Sequence, residues 1–260
     1  MNPYENDLIK FFNRLTELSH ISYQIKNTLE NSLKGYEKFS DEQLISSSAL
    51  VISDWTGTTD NGWQRNYHTG IFKQTYKRDF ETQIQRIISF ECCHTFAQSF
   101  EAIESFFKSC VISKSETVAV YFDIVSREIS KNVTRENLPG GDKLFELIKK
   151  ACDSEFNLSS NNNNSKIKFK EFWTVISECR HAITHSSSVI KVKKLPSKSH
   201  LEIFKRLFQH NEVNSSSWQI VLNNKNLTHL IKMLAEFGFQ IFKMLSKTGY
   251  YNWESVLASN

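Results

Sequence analysis

One arginine and two histidines lie within six consecutive residues of this sequence. Arg180, His181 and His185 belong to the stretch ISECRHAITHSSSVI, which begins at Ile176 and ends at Ile190. An imidazole can donate or accept a proton near neutral pH, and a guanidinium keeps its positive charge and can bind two oxygens of one anion. Residues of these types can form a site that binds an anionic group and transfers a proton.

The position of these residues near a predicted helix end allows a second interpretation. Five residues along an α-helix correspond to about 140° of rotation and about 7.5 Å of rise, so Arg180 and His185 do not share one helical stripe. The two side chains can converge if the helix ends at His185, and the run Ser186–Ser188 is consistent with such an ending. Arginine and histidine in a last turn also neutralise exposed carbonyl groups without any catalytic role. The residues alone leave a catalytic site and a helix cap open.

The segment CRHAITHS, residues 179–186, resembles the motif of the HEPN superfamily. In that motif an arginine is followed by a polar residue, commonly Asn, Asp or His, then by three further positions and a histidine. Arg180, His181 and His185 occupy those positions here. The predicted order of helices is also similar to that family, with a long early helix containing SFECCHTFAQSFEAIESFF, a penultimate helix that carries the motif and a long final helix. The similarity covers about residues 80 to 250 as architecture and six residues as a specific motif.

The resemblance implies a metal-independent endoribonuclease, as found among toxins, phage-defence effectors and RNA-processing proteins. It implies that Arg180 binds and stabilises the scissile phosphate, that His185 acts as acid or base, and that His181 has a supporting role. HEPN motifs usually face each other across a dimer, so the expected active form is a homodimer. The ribose 2′-hydroxyl would be the nucleophile, and products would end in a 2′,3′-cyclic phosphate. An antitoxin or another defence-system protein is a further expected partner, and no cofactor is expected.

A basic segment follows the motif directly. Between Val189 and Arg206 the only acidic residue is Glu202, whereas the basic residues are Lys191, Lys193, Lys194, Lys198, Lys205 and Arg206. Lys191, Lys193 and Lys194 are predicted to hold an RNA backbone without reading its sequence. A lysine-rich edge strand that prevents aggregation explains the same residues equally well.

Several other side chains have both a functional and an ordinary interpretation. Glu101 and Glu104 on the early helix can pair with Arg180, although glutamates on a long helix more often lie on the surface. The aromatic residues Trp55, Trp63, Tyr67 and Tyr76 can stack on nucleic-acid bases, but packing against the first helix is the simpler expectation.

No metal site is predicted, because the histidines and the five cysteines show no ligand spacing. The cysteines are expected to be reduced, buried thiols.

Hydrophobic periodicity predicts an all-α fold, an antiparallel helical bundle with a small extended insertion after the motif helix. Residues 1–80 are predicted as an N-terminal helical extension, with an irregular connection, or short strands, over 55–77. Residues 81–257 are predicted as the HEPN-like bundle. Its expected helices run from about residue 80 to 110, from a cap at Ser115, from a cap at Asp142 to about 152, through the motif, and from 227 to near Gly249. The polar tract 157–165 is expected to be an exposed, mobile loop.

Composition narrows the class of protein further. The net charge of +4 does not by itself identify a nucleic-acid binder, and no run of 18 apolar residues predicts a membrane span. The N-terminus mixes acids into its apolar residues, unlike a signal peptide, so a cytoplasmic protein is expected. The alternative function, from a different class, is a non-catalytic helical module that binds a protein partner or a nucleotide and keeps the motif as a helix cap. Motifs that point away from each other in the dimer, with Arg180 bonded to a carboxylate of its own subunit, would favour that alternative.

Overall fold

The computed structural model describes residues 2–130 and 132–246, which are mostly helical and divide into two compact units. The bundle unit consists of the chain up to Tyr23 and from Ser89 onward. The hairpin unit is Gln24–Ile88. The predicted boundary between residues 80 and 81 lies inside the continuous helix Lys77–Thr117, so the structure divides the chain at other residues.

Helices α1 (Glu5–Tyr36) and α2 (Lys77–Thr117) each contribute residues to both units. The other helices of the bundle unit are, in chain order, α3 (Ala119–Ile129), α4 (Gly141–Cys152), α5 (Ser154–Asn161), α6 (Phe169–His185), α7 (Lys198–Leu207) and α8 (Asn224–Ser246). Periodic apolar stripes predict most of these helices, and the structure confirms the mainly helical class. The predicted end of the last helix at Gly249 lies outside the described residues.

Three helix boundaries differ from their sequence-based predictions. Ser115 does not cap a helix, because α2 continues through it and its hydroxyl donates to the Val111 carbonyl. Asp142 lies in the first turn of α4, whose N-cap is Gly140. The polar tract 157–165 is partly helical, since α5 extends to Asn161. The first two differences shift a helix boundary by a few residues, and the third replaces part of a predicted loop by a short helix.

An aromatic cluster holds four helices of the bundle unit together. Trp173 of α6 is fully buried, and its ring centroid lies 5.0 Å from Phe100 and 5.4 Å from Phe107, both on α2. It also stacks on Phe145 of α4 at 5.4 Å, and Phe237 of α8 contacts Phe107 edge-on at 5.7 Å. Offset and edge-to-face packing of this kind adds to the free energy of burial. The cluster fixes α6 against α2 close to the predicted site.

A small antiparallel sheet follows the motif helix. Strand β3 is Val189–Lys191, and it pairs with β5 (Ser217–Val221), which pairs with β4 (Gln209–Asn214). The alternation of apolar and basic residues predicts an extended segment through residue 195, but only β3 is a strand and Val192–Lys194 forms a 3₁₀ turn. Strands β4 and β5 are additional to the prediction.

The hairpin unit contains a long two-stranded antiparallel sheet, in which β1 spans Leu44–Thr58 and β2 spans Gln64–Tyr76. Of the two alternatives for 55–77, the irregular connection is wrong for most of the segment and the strands are present, although they are long rather than short. The prediction of an irregular connection failed because both strands are exposed over most of their length, so their residues lack the alternation of a half-buried strand. Trp55 and Trp63 are exposed, so the expectation that they pack against the first helix is wrong.

Candidate functional site

The predicted motif occupies the last turns of α6. The helix ends at His185, and the Ser186 and Ser188 amides both donate to the Ala182 carbonyl, at 2.9 and 3.0 Å. Ser187 and Ser188 have positive φ angles of 51° and 64°. Non-glycine residues adopt this left-handed region at a cost. The expectation that the helix stops immediately after His185 is confirmed.

The apolar face of α6 determines where the motif side chains lie. Phe172, Trp173, Ile176, Cys179 and Ile183 are buried on that face. Arg180 follows buried Cys179 and is half-buried at the border of the core, whereas His181 and His185 are exposed on the solvent side. The helical period thus divides the motif between a partly buried cation and two exposed imidazoles.

The partner of the Arg180 guanidinium is Glu101 of α2. Nη2 of Arg180 donates to Oε1 of Glu101 at 3.1 Å, and the two side chains are 27% and 56% exposed. The Nε atom of Arg180 is buried without a hydrogen-bond acceptor among the described residues. Glu104, the other predicted partner, instead accepts a hydrogen bond from the Gly141 amide at the start of α4, at 2.6 Å. Arg180 is thus bonded to a carboxylate of its own chain.

The two histidines of the motif lie next to each other. The ring centroids of His181 and His185 are 4.9 Å apart at an interplanar angle of 48°. Residues four apart on a helix share one face, which explains this contact. Thr184, between them, donates its hydroxyl to the Arg180 carbonyl at 3.0 Å. The structure therefore forms two pairs, Arg180 with Glu101 and His181 with His185, on neighbouring faces of one helix end.

The three lysines predicted to bind RNA are exposed on the segment that follows α6. Lys191 ends β3, and Lys193 and Lys194 belong to the 3₁₀ turn. Nζ of Lys194 lies 3.3 Å from Oε1 of Glu178, a residue of α6 two positions before Arg180. This ion pair ties the basic segment to the motif helix, and Glu178 is a contributor that the sequence analysis did not select. Nothing in the local sequence distinguishes Glu178 from any other helical glutamate.

A second group of polar and aromatic side chains lies on the small sheet. The ring of Trp218 on β5 is 4.5 Å from His210 and 5.5 Å from Phe204, and Nζ of Lys205 lies 5.6 Å from its centroid. Lys205 belongs to the basic segment that the sequence analysis describes, but its contact with Trp218 depends on the pairing of β4 with β5. Only the tertiary structure brings these residues together.

The cysteines are placed as predicted, and all five are buried in the bundle unit. Burial raises the pKa of Cys93 and of Cys152 to about 12, and it raises the pKa of Cys110 and Cys179 well above the ordinary thiol value. A thiol with such a pKa is a poor nucleophile at neutral pH. Within residues 2–130 and 132–246, no three His, Cys, Asp or Glu side chains are grouped so as to hold a metal ion.

Comparison of the chain with protein-family models, with curated proteins and with solved structures finds no significant match in any of the three. None of the helices in the described part of the chain combines the length and apolarity needed to cross a membrane. Function is therefore inferred from the residues of this chain and their geometry.

Proposed function

We propose that this protein is a metal-independent endoribonuclease of the HEPN type, active as a homodimer and serving as a toxin or phage-defence effector. The observation that carries the proposal is the end of α6, where a half-buried guanidinium and two adjacent exposed imidazoles meet solvent beside a lysine-bearing segment. These groups supply positive charge and proton transfer, which are the two needs of phosphodiester cleavage by an internal hydroxyl.

The proposed reaction assigns one task to each residue type. The ribose 2′-oxygen attacks the neighbouring phosphorus while an imidazole accepts its proton, and the bond from phosphorus to the 5′-oxygen breaks as a second imidazole protonates that oxygen. Arg180 stabilises the negative charge that develops on the non-bridging oxygens. His185 is the proposed acid or base. His181 has a supporting role, and the second copy of the motif in a homodimer would provide the complementary groups.

The Arg180–Glu101 ion pair is compatible with this role. A partly exposed pair of this kind contributes only about 0–1 kcal/mol. A guanidinium has five N–H donors, and Glu101 engages Nη2. A phosphate can therefore bind beside Glu101 or replace it at a small cost. Glu101 is proposed to hold the guanidinium in position while the site is unoccupied.

Cleavage of RNA by purified protein in EDTA tests the proposal. Arg180→Ala is expected to lower kcat about 10²- to 10³-fold, the effect of removing one charge-stabilising donor. His185→Ala is expected to lower it about 10²- to 10⁴-fold, the usual contribution of a general acid or base. Products should end in a 2′,3′-cyclic phosphate, which end-group analysis detects.

Matched controls come from the same residue types away from the motif. Arg127→Ala on α3 and His20→Ala on α1 replace exposed side chains and should leave the cleavage rate unchanged. If Arg180→Ala and His185→Ala cut RNA as fast as these controls, the proposed ribonuclease site is wrong.

The Arg180–Glu101 pair is also the observation that favours the second candidate, a non-catalytic helical module that binds a protein or nucleotide. In that case Arg180 ties α6 to α2 and has no chemical role. Glu101→Gln separates the two candidates. If the site cleaves RNA, removing the competing carboxylate charge should change kcat/KM less than about fivefold, because about 1 kcal/mol is involved. The second candidate expects no cleavage by any variant and a loss of stability in both Glu101→Gln and Arg180→Ala.

A further inference from the structure

The hairpin unit exposes far more apolar surface than its size explains. Eleven of the nineteen large hydrophobic residues that are exposed in the described chain lie between residues 24 and 88, whereas only Ile84 and Ile88 of that unit are buried. An isolated two-stranded sheet is marginally stable in water, and exposed apolar patches usually mark an interface. These exposed side chains are therefore typical of an interaction surface.

The two edges of this sheet differ. In β2 the three residues Thr69, Gly70 and Ile71 lie between the pairs Ala49–Phe72 and Val51–His68, opposite the single residue Leu50. Gly70 has φ +72°, and its amide donates to Nδ1 of His68. A bulge of this kind bends a strand and interrupts its edge. β1 has its own register shifts, between Leu44 and Ser46 and between Ser53 and Thr58, but no extra residue interrupts it from Ser46 to Ser53, so that stretch is its regular edge.

The outward-facing backbone groups of β1 can be assigned from one hydrogen bond. The Leu50 carbonyl accepts from the Thr69 hydroxyl of β2 at 2.8 Å, so it points into the sheet. Because backbone direction alternates along a strand, the N–H and C=O groups of Ala49 and Val51 point to the open edge. Among residues 2–130 and 132–246 those groups have no ladder partner, since the sheet that these residues form here consists of β1 and β2.

The side chains of this edge favour a second copy of the same strand. Natural edge strands usually carry lysine or proline to prevent pairing, but β1 has neither, and Asp54 is its only charged residue. Leu50, Val51 and Ile52 are 56%, 55% and 51% exposed. Antiparallel pairing of two β1 strands with Val51 on the two-fold axis places Leu50 opposite Ile52 of the second copy and Ala49 opposite Ser53, and Asp54 lies beyond this regular stretch. No like charges then face each other, and the assembly is closed.

We infer that β1 pairs with β1 of a second copy to form a continuous four-stranded antiparallel sheet, with Val51 at its two-fold axis. This inference goes beyond the proposed ribonuclease activity and uses none of its residues. It assigns the hairpin unit as a self-association element.

A disulfide crosslink tests this contact specifically. Val51→Cys places a thiol on the axis, where hydrogen-bonded strand partners have Cα atoms about 5.5 Å apart, within disulfide range. The native cysteines are all buried. Mild oxidation should convert most of the Val51→Cys protein to a covalent dimer of twice the 30.3 kDa chain mass. The control variant Lys73→Cys, on β2, should give at least tenfold less covalent dimer under the same oxidation.

A second substitution addresses the hydrogen bonds themselves. Ala49→Pro in the Val51→Cys background removes an outward N–H without affecting the β1–β2 ladder, so it should abolish the crosslink, whereas Ala49→Ser should retain it. Circular dichroism checks that both variants keep the fold. Equal crosslinking of the residue 51 and 73 variants, no crosslinking at residue 51, or retention in the Ala49→Pro variant would each overturn the inference. RNA cleavage is not a readout here, so failure of the ribonuclease proposal leaves this test unaffected.

Discussion

The two units use the same kinds of residue in opposite ways. In the bundle unit, Trp173 is fully buried among Phe100, Phe107 and Phe145, whereas in the hairpin unit Trp55 is 93% exposed on β1. The bundle unit buries its apolar residues within one chain, so the contacts that stabilise it do not require a second copy. The hairpin presents most of its large apolar residues to the outside, and we propose that its β1 edge pairs with a second copy. This difference teaches that the polar motif at the end of α6 and the apolar edge of β1 should be tested separately.

The largest expected effect on stability comes from replacing each of the two tryptophans with alanine. Trp173→Ala should lower the free energy of unfolding by about 3–5 kcal/mol, because it leaves a cavity in the aromatic cluster. Trp55→Ala should change it by less than about 0.5 kcal/mol. Urea unfolding measures both values. A large effect of Trp55→Ala in dilute monomer would show that the hairpin has a core within its own chain.

Two helical glycines provide a second comparison. A Cβ atom at Gly238 of α8 would lie 2.5 Å from the Phe11 ring of α1, whereas one at Gly35 of α1 meets nothing within 4 Å. Gly238→Ala should therefore cost about 1–3 kcal/mol through overpacking. Gly35→Ala should be neutral or stabilise by up to about 1 kcal/mol through helix propensity. Thermal unfolding shows whether each variant is more or less stable than the original protein. Stabilisation by Gly238→Ala would mean that α1 and α8 are not closely packed.

Alkaline pH should destabilise the bundle unit, because it contains all five buried thiols. Burial raises the folded-state pKa of Cys93 to about 12, above its unfolded value. The resulting stability is fully present below the unfolded pKa and is lost as pH rises toward the folded pKa, since the unfolded chain ionises first. The free energy of unfolding should fall between about pH 9 and 12. A Cys93→Ala variant should show a smaller fall, and an identical pH profile would contradict this assignment.

The smallest expected effect on stability concerns one residue with a left-handed backbone conformation in each unit. Ser187, directly after α6, has φ 51°, and Gly70 in β2 has φ 72°. Ser187→Gly should stabilise by about 1 kcal/mol, because glycine adopts this conformation without steric cost, and Gly70→Ser should destabilise by a similar amount. Differential scanning calorimetry detects the expected shift of about 2–4 °C per kcal/mol. A destabilising Ser187→Gly would indicate that the serine side chain itself supports the turn.

Sequence reasoning predicted the long helices well and the hairpin poorly. Apolar residues at three- and four-residue spacing define α1, α2, α6 and α8 without reference to any distant contact, and the serines after His185 correctly predict the end of the motif helix. The sequence did not predict strand β1, because this strand has no buried face. Its residues therefore lack the alternation of apolar and polar types that identifies a half-buried strand. Strands β4 and β5 are short, β4 is mostly polar, and their pairing depends on residues up to twelve positions apart.

The candidate site was predictable as a set of residue types but not as a geometry. Arg180, His181 and His185 could be selected from the sequence, and Glu101 was recognised as one of two possible partners of Arg180. The choice of Glu101 over Glu104 depends on the register of α2 against α6, which the Trp173 contacts determine. Glu178 and its ion pair with Lys194 could not be anticipated, because the link depends on how the chain turns after β3.

Local sequence specifies a mainly helical chain whose arginine and histidines lie at a helix end, because helical periodicity and helix-terminating residues act over one or two turns. Tertiary contacts set the remaining features: Arg180 pairs with Glu101, the two imidazoles face solvent together, and the outer edge of β1 has no strand partner within residues 2–130 and 132–246. The first of these features depends on residues 79 positions apart in the chain. Such long-range packing leaves no local pattern from which it can be predicted.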